Sequence, residues 1–276
     1  MSRCPSSAAR RAGRLAAWLL VTAIAAPVGA QTLGSLPIDI RGASRLEYDE
    51  TTGILVANGA PVVVTRASTV LRAPRIRYDA RARVVTATGG VIMEEPGLTV
   101  HGDRAELRLT EERIRVSGGV TVRSTREGRP VELSAPDVEG SLQTRRFSAT
   151  GGVTVTRGEW VVTGRRIDYE DRPQVAVVSG EPTARFRDAT MTAQAMTFYV
   201  ADERMRGDGD VRLRRGDLTG QAPRAEVFGK ENRAVLSGGA RVDRGPDRVT
   251  AEEIEMDLEG TRVVARGGSR LVITPP

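Results

Sequence analysis

One pattern repeats eight times along this chain, and it constrains the fold more than any other feature. A small residue leading into alternating apolar and polar positions recurs at Ala43, Ala73, Gly102, Ala135, Gly164, Ala193, Ala222 and Ala251, in steps of 30, 29, 33, 29, 29, 29 and 29 residues. About fifteen residues after each mark comes a break centred on glycine: Asn58-Gly59, Gly89-Gly90, Gly118-Gly119, Gly151-Gly152, Ser179-Gly180, Asp208-Gly209, Gly238-Gly239 and Gly267-Gly268. A period of this length means a stacked architecture in which each unit buries its apolar face only against its neighbours. Function must then be sought in the shape and lining of a long stack.

Within a unit the period is two. Val100 to Leu109 alternates, Thr110 to Arg113 turns, Ile114 to Ser117 alternates again, and Val120 to Arg123 resumes after Gly118-Gly119. That places Ala105, Leu107, Leu109, Ile114, Val116, Val120 and Val122 on one face and the charged residues on the other. Four residues before the first glycine of each break stand Leu55, Val85, Ile114, Phe147, Ala176, Met205, Ala234 and Val263; four after it stand Val63, Met93, Val122, Val155, Ala184, Leu213, Val242 and Leu271. All sixteen are apolar, so all are expected on one face. Glycine inside a strand marks a bulge or sharp bend, and eight in register predict a crease along the whole sheet. The expectation is an all-β, antiparallel, bent roll of about sixteen strands, two from each ~29-residue repeat. At ~4.8 Å per strand it is roughly 75 Å long. The one long step fits a hairpin loop over Ser124–Pro130.

Residues 1–30 read as a secretory signal peptide cleaved after Ala30: Arg3, Arg10, Arg11 and Arg14, then the apolar run Leu15 to Ala26, too short to span a bilayer. This makes the mature protein an exported one, with 31–42 a short lead-in and 43–276 one continuous repeat domain, divisible into halves of about 43–155 and 156–276. Removing the four leader arginines changes the balance from 41 basic and 35 acidic residues to 37 against 35. Arginines alternate with acids along the strands and aromatics are scarce, which argues against nucleic acid as a partner. The one cysteine, Cys4, lies in the leader, so the mature chain has no disulfide, thiolate metal site or cysteine nucleophile.

Catalysis has little support. The single histidine, His101, sits at an outward strand position, and the many carboxylates alternate with arginines as cross-strand ion pairs would. Asp202-Glu203 and Gly207-Asp208-Gly209-Asp210 suggest calcium but lack the nonapeptide repeat of calcium rolls. No cofactor, metal or enzymatic activity is expected, and no nucleotide-binding loop is present.

Several segments carry a family resemblance. Ala73-Pro74-Arg75-Ile76-Arg77-Tyr78-Asp79 with Ala87-Thr88-Gly89-Gly90-Val91, Gly102-Asp103-Arg104-Ala105-Glu106-Leu107 with Val116-Ser117-Gly118-Gly119-Val120, Phe147 to Val155, and Ala222 to Val227 with Leu236 to Ala240 are similar to the tandem units of the LptA/OstA family of periplasmic lipopolysaccharide-transport proteins. The resemblance implies a bent β-jelly-roll whose interior shelters the acyl chains of lipopolysaccharide. It also implies joining to inner-membrane and outer-membrane transport components, or head to tail to a second copy, by edge-strand addition. The groove-lining candidates are Leu107, Ile114, Val116, Val120, Val122, Phe147, Val153, Val155, Ile167, Tyr169, Met196 and Phe198. Trp160, Phe186 and Tyr199 are further aromatics for lipid contact or core filling.

A carrier needs an inner wall that is apolar and open to hydrocarbon along its length. The small inward residues Ala105, Ala176, Ala184, Ala225 and Ala234 allow either a wide groove or a tightly closed core. The alternatives are an anchored LptC-like subunit, an N-terminal portion of the outer-membrane translocon, a structural β-solenoid or adhesin stalk without lipid binding, and a carbohydrate-active β-helix enzyme.

Overall fold

The computed structural model describes residues 39–66, 68–125, 130–258 and 261–274. Residues 1–30, expected to be a signal peptide, most of the lead-in and the tip of the 124–130 loop lie outside the described residues. No helix among the described residues is long and apolar enough to cross a membrane.

Each predicted rung forms. The first nine strands are β1 (Asp39–Asp49), β2 (Ile54–Arg66), β3 (Thr69–Asp79), β4 (Val84–Glu95), β5 (Leu98–Arg108), β6 (Arg113–Ser124), β7 (Val131–Ser141), β8 (Arg146–Arg157) and β9 (Trp160–Glu170). Four shorter segments follow: β10 (Val175–Ser179), β11 (Thr183–Phe186), β12 (Ala189–Thr192) and β13 (Ala195–Tyr199). Long strands then resume as β14 (Arg204–Arg215), β15 (Leu218–Phe228), β16 (Arg233–Arg244) and β17 (Asp247–Asp257), before β18 (Val263–Arg266) and β19 (Arg270–Val272). β10 and β11 both pair with β9, β12 and β13 both with β14, and β18 and β19 both with β17. Nineteen segments therefore make sixteen rungs of one antiparallel meander.

The crease is a backbone feature. Seven breaks hold two consecutive residues at positive φ, among them Gly118 (84°) with Gly119 (70°), Gly209 (77°) with Asp210 (48°), and Gly238 (89°) with Gly239 (84°). Ladder register shifts at each of them, as at a bulge. The first glycine is required twice over. A Cβ on Gly118 would sit 2.4 Å from Asp103, and one on Gly151 would sit 2.8 Å from Pro136. The second has open space around it, so Asp210 and Glu181 stand there in two units.

Asn58-Gly59 departs from the rule. Its bulge is one residue longer, Asn58 pairing with Arg75 and Val62 with Ala73. A one-residue slip turns every later side chain to the opposite face. Val62 and Val64 consequently point inward, and Val63, expected inside, points out.

The crease divides each rung between two walls. The first wall holds the hairpin turns that begin with 49–54; the second holds those of the 66–69 type. Along the tips of the first wall the turns make their own ladder. The amides of Ala80, Leu109, Leu142, Asp171, Val200, Gly229 and Leu258 donate to the carbonyls of Gly53, Arg83, Glu112, Arg145, Gln174, Glu203 and Asn232. Every acceptor has positive φ. A single sheet can bury one face only by folding onto itself, and the inner residues of both walls are buried together. Val120, Leu133, Val153 and Val211 on the second wall are as inaccessible as Val178, Met196, Leu236 and Ile254 on the first.

Candidate functional site

Apolar burial along the inner face is uneven. In β2 to β4 only the residues nearest the crease are fully buried: Ala57, Val62, Ala73, Ile76, Ala87 and Val91, which form a core of their own. Farther from the crease Leu55, Val64, Leu71, Tyr78, Val85 and Met93 are half exposed. The second core runs from Leu98 to Met256 and is dense. Beyond the crease the inner face is thus more accessible over β2 to β4 than along the rest of the stack, with Leu55, Val64, Leu71 and Val85 packed on the edge of the first core.

Two inner glycines show how close the walls come in the C-terminal half. A Cβ on Gly220, of the second wall, would lie 2.9 Å from Cδ2 of Leu236 on the first. One on Gly207, of the first wall, would lie 3.2 Å from Cε of Met191 on the second. Ala176, Ala184, Ala225 and Ala234 are buried in the same region. The small residues serve close packing here, so the expectation of an inner wall open along its full length does not hold in this half.

The mouth of the V is also bridged there. Arg215, the last inner residue of β14 on the second wall, donates from Nη1 to the carbonyl of Leu258 at the tip of the first wall. Its Nε is held by Asp188 at 3.0 Å.

All twelve sequence-proposed lining residues fall on the inner face. Register places Leu107 beside Ile114, Phe147 beside Tyr169, Ala149 beside Ile167, and Leu133 beside Val155. Leu107, Ile114 and Phe198 are half exposed. Val116, Val120, Val122, Phe147, Val153, Val155, Ile167, Tyr169 and Met196 are buried in the second core. Gly140 explains the seat of Phe147, since a Cβ there would lie 2.1 Å from the ring. Tyr199 does not face the interior. It lies on the outside under the Arg204 guanidinium, 3.9 Å from the ring centre. Trp160 and Phe186 stack at 4.5 Å on the rim of the second wall.

Sequence reasoning set Leu55, Val85 and Met93 on the inner face but offered none of the more accessible apolar residues, Leu55, Val64, Leu71, Tyr78, Val85 and Met93, as lining. Their alternation was visible; their exposure depends on the distance between walls, which no local pattern records.

The outer face of the first wall is a mosaic of ion pairs. A concavity of about 790 Å³ over β5 to β9 is lined mainly by residues that satisfy one another, Arg108 with Glu106 and Glu111, and Arg146 with Glu170. Arg166 holds Asp168 with two hydrogen bonds of 2.6 and 2.7 Å, lowering its pKa against the opposing effect of burial, and Ser148 adds a further bond. Asp208, a calcium candidate in the sequence, is engaged by Arg206 and Arg224. Among the described residues no group of acidic or histidine side chains is arranged to hold a metal.

Both ends of the stack expose inner-face apolar residues. Leu46 and Tyr48 on β1 are 54% and 56% exposed; Leu271 and Ile273 at the other end are 60% and 65%. β1 pairs only with β2, and β18 and β19 only with β17, so each end presents an unpaired strand edge.

The sequence matches the family described as LptA/(LptD N-terminal domain) LPS transport protein over residues 40–175 and 170–261. The chain belongs to this family. The two matched segments meet at the turn between β9 and β10 and together cover nearly all of the described sheet. A search of curated proteins finds no match. Among solved structures the chain is similar to LptH of Pseudomonas aeruginosa, the LptA-homologous periplasmic component of a lipopolysaccharide transport device. Identity is 18% over 52% of this chain and 82% of that one, with a TM-score of 0.26. Membership of the LPS-transport family thus rests on the sequence match, and the all-β roll on the strand ladder itself.

Proposed function

We propose that this protein is a periplasmic lipopolysaccharide carrier that bridges part of the path from inner to outer membrane. The acyl chains lodge between the two walls at the N-terminal end of the roll. The observation that carries this reading is the row of half-exposed apolar side chains, Leu55, Val64, Leu71, Tyr78, Val85 and Met93, on facing inner walls of a family member. Burying such surface favours a hydrocarbon guest by about 0.8 kcal/mol per CH2. The closed C-terminal half serves as a rigid extension rather than as further groove.

The two unpaired edges, each flanked by exposed inner apolar residues, suit addition of a strand from a neighbouring transport component or a second copy. Such addition would continue the ladder and cover Leu46, Tyr48, Leu271 and Ile273 together. The mechanism is passive, and direction comes from the partner that loads one end.

A photo-crosslinking residue placed at Leu71, Val64 or Leu107 in living cells tests the proposal. Adducts with lipopolysaccharide are expected there and not at Leu236 or Met196. Silence at all three N-terminal positions, with the protein folded and exported, overturns it.

A further inference from the structure

The outer face of the second wall changes character half-way along. Over β1 to β8 its charges balance: Arg41 pairs with Asp39, Arg72 with Glu94, and Arg123 with Glu132. From β11 to β19 the same face carries six arginines, Arg185, Arg212, Arg214, Arg241, Arg248 and Arg270, and one carboxylate, Asp243. Arg241 and Arg248 share that carboxylate, each at 2.7 Å. Arg185, Arg212, Arg214 and Arg270 are exposed and have no ion pair among the described residues.

Sheet register sets their spacing. Arg212, Arg241 and Arg270 occupy equivalent positions on alternate rungs, about 9.6 Å apart. Threonine and Gln221 fill the rungs between: Arg212 faces Thr192 and Gln221, Arg214 faces Thr190 and Thr219, and Arg270 faces Thr250. Val161 and Val272, its apolar side chains, sit at its two ends. At the bordering turns Asp188 is committed to Arg215 and Asp247 accepts from the Thr274 amide, while Asp217 in the β14–β15 turn and Asp210 at the crease are exposed at its margin. Beyond the signal peptide, basic and acidic residues are nearly equal in number, so this excess is local.

We propose that this face rests on an anionic membrane surface. Protein interfaces gather aromatic and large apolar residues at their centre; between its two terminal valines this face has neither. Arginine donates to phosphate oxygens in a planar fork, and the threonine hydroxyls between are neutral donors at the same height. The contact is electrostatic and does not insert. It holds the closed half of the roll against the headgroups and leaves the apolar end free. It does not depend on what the inner walls carry.

The test is co-sedimentation of the protein, as isolated after export, with vesicles of equal parts phosphatidylglycerol and phosphatidylcholine, and with phosphatidylcholine alone. Binding to the anionic vesicles only is expected, lost in about 1 M salt where the Debye length is ~3 Å. An arginine at an anionic surface changes partitioning about fivefold. The R185Q/R212Q/R214Q/R270Q variant is therefore expected to bind at least about tenfold more weakly, with an unchanged thermal midpoint. A variant losing four arginines on the other wall (R108Q/R113Q/R115Q/R146Q) is expected to retain most of its binding. No binding by the parent protein, or equal loss in both variants, overturns the proposal. So does unchanged vesicle binding by the first variant together with its loss of an acidic protein partner from the envelope.

Discussion

The Arg215 guanidinium reaches across the mouth of the folded sheet to the carbonyl of Leu258, joining two residues 43 positions apart that no strand ladder connects. The same side chain is pinned by Asp188 on its own wall. A charge-assisted bond in a part-buried setting contributes about 1.5–3 kcal/mol. Arg215→Ala is expected to lower the thermal midpoint by roughly 3–8 °C on the scale of a domain this size. It should also speed amide hydrogen exchange in β14 to β17 while leaving β2 to β4 unchanged. Equal exchange rates in both regions would remove the clasp from the account.

The crease predicts a difference between neighbouring glycines. Gly238 needs a positive φ and lies under Pro223, whereas Gly239 needs only the φ. Gly239→Asn is expected to cost less than about 1 kcal/mol, because asparagine tolerates the left-handed region. Gly151→Ala combines a disfavoured φ with a Cβ 2.8 Å from Pro136, and is expected to cost about 2–4 kcal/mol. Urea unfolding of the two variants separates the cases.

Much of this was legible from the repeat. The period of two put Leu107, Ile114, Val122 and Phe147 on one face, and the glycine pairs marked the crease. The longer bulge after Asn58 was not legible, because one extra residue in a loop leaves the alternation on either side intact; it sent Val63 outward. Nor was the closing of the C-terminal half. Ala225 and Ala234 have the same inward parity as Leu71 and Val85, and only the meeting of Gly220 with Leu236 across the walls tells a packed interior from an accessible one.

Asp171 is the one buried charged residue among those described, at 4% exposure. It occupies a tip position filled elsewhere by Leu109, Leu142, Val200 or Leu258, and pairs with Arg145, while its Oδ1 has no hydrogen-bond partner. A buried pair is often no more stable than a packed apolar one, although breaking it is costly. Asp171→Leu alone is therefore expected to destabilise by about 2–4 kcal/mol, leaving Arg145 uncompensated. Arg145→Met with Asp171→Leu is expected to match or exceed the parent, as a double-mutant cycle in urea would read.

Stability should also respond to acid. Hydrogen bonding from Arg166 lowers the Asp168 pKa, that from Arg206 lowers Asp208, and that from Arg215 lowers Asp188. A carboxylate whose folded pKa lies below its unfolded value of about 3.9 stabilises the fold fully above that value, and the contribution fades as pH falls through the folded pKa. The thermal midpoint is expected to be level with respect to these groups near neutrality and to fall below about pH 4. Asp168→Asn should flatten part of that fall. A midpoint rising on acidification would contradict the sign.

The unequal closure of the two halves makes the sharpest contrast. Leu236 is fully buried between walls and fills the space left by Gly220; Leu71 packs on the edge of the first core beside Val64 and Met93 and stays partly exposed. Leu236→Ala removes buried methyl groups and leaves a cavity, and is expected to cost about 2–5 kcal/mol with lipopolysaccharide crosslinking at Val64 retained. Leu71→Ala removes surface already partly in water and is expected to cost about 1 kcal/mol or less, with reduced crosslinking at Val64. Side chains that close a roll and side chains that line one share a sequence pattern, and these paired readouts distinguish them. If Leu71→Ala unfolded the protein as readily as Leu236→Ala, the N-terminal walls would be as tightly closed as the rest, and the place assigned to the acyl chains would be lost.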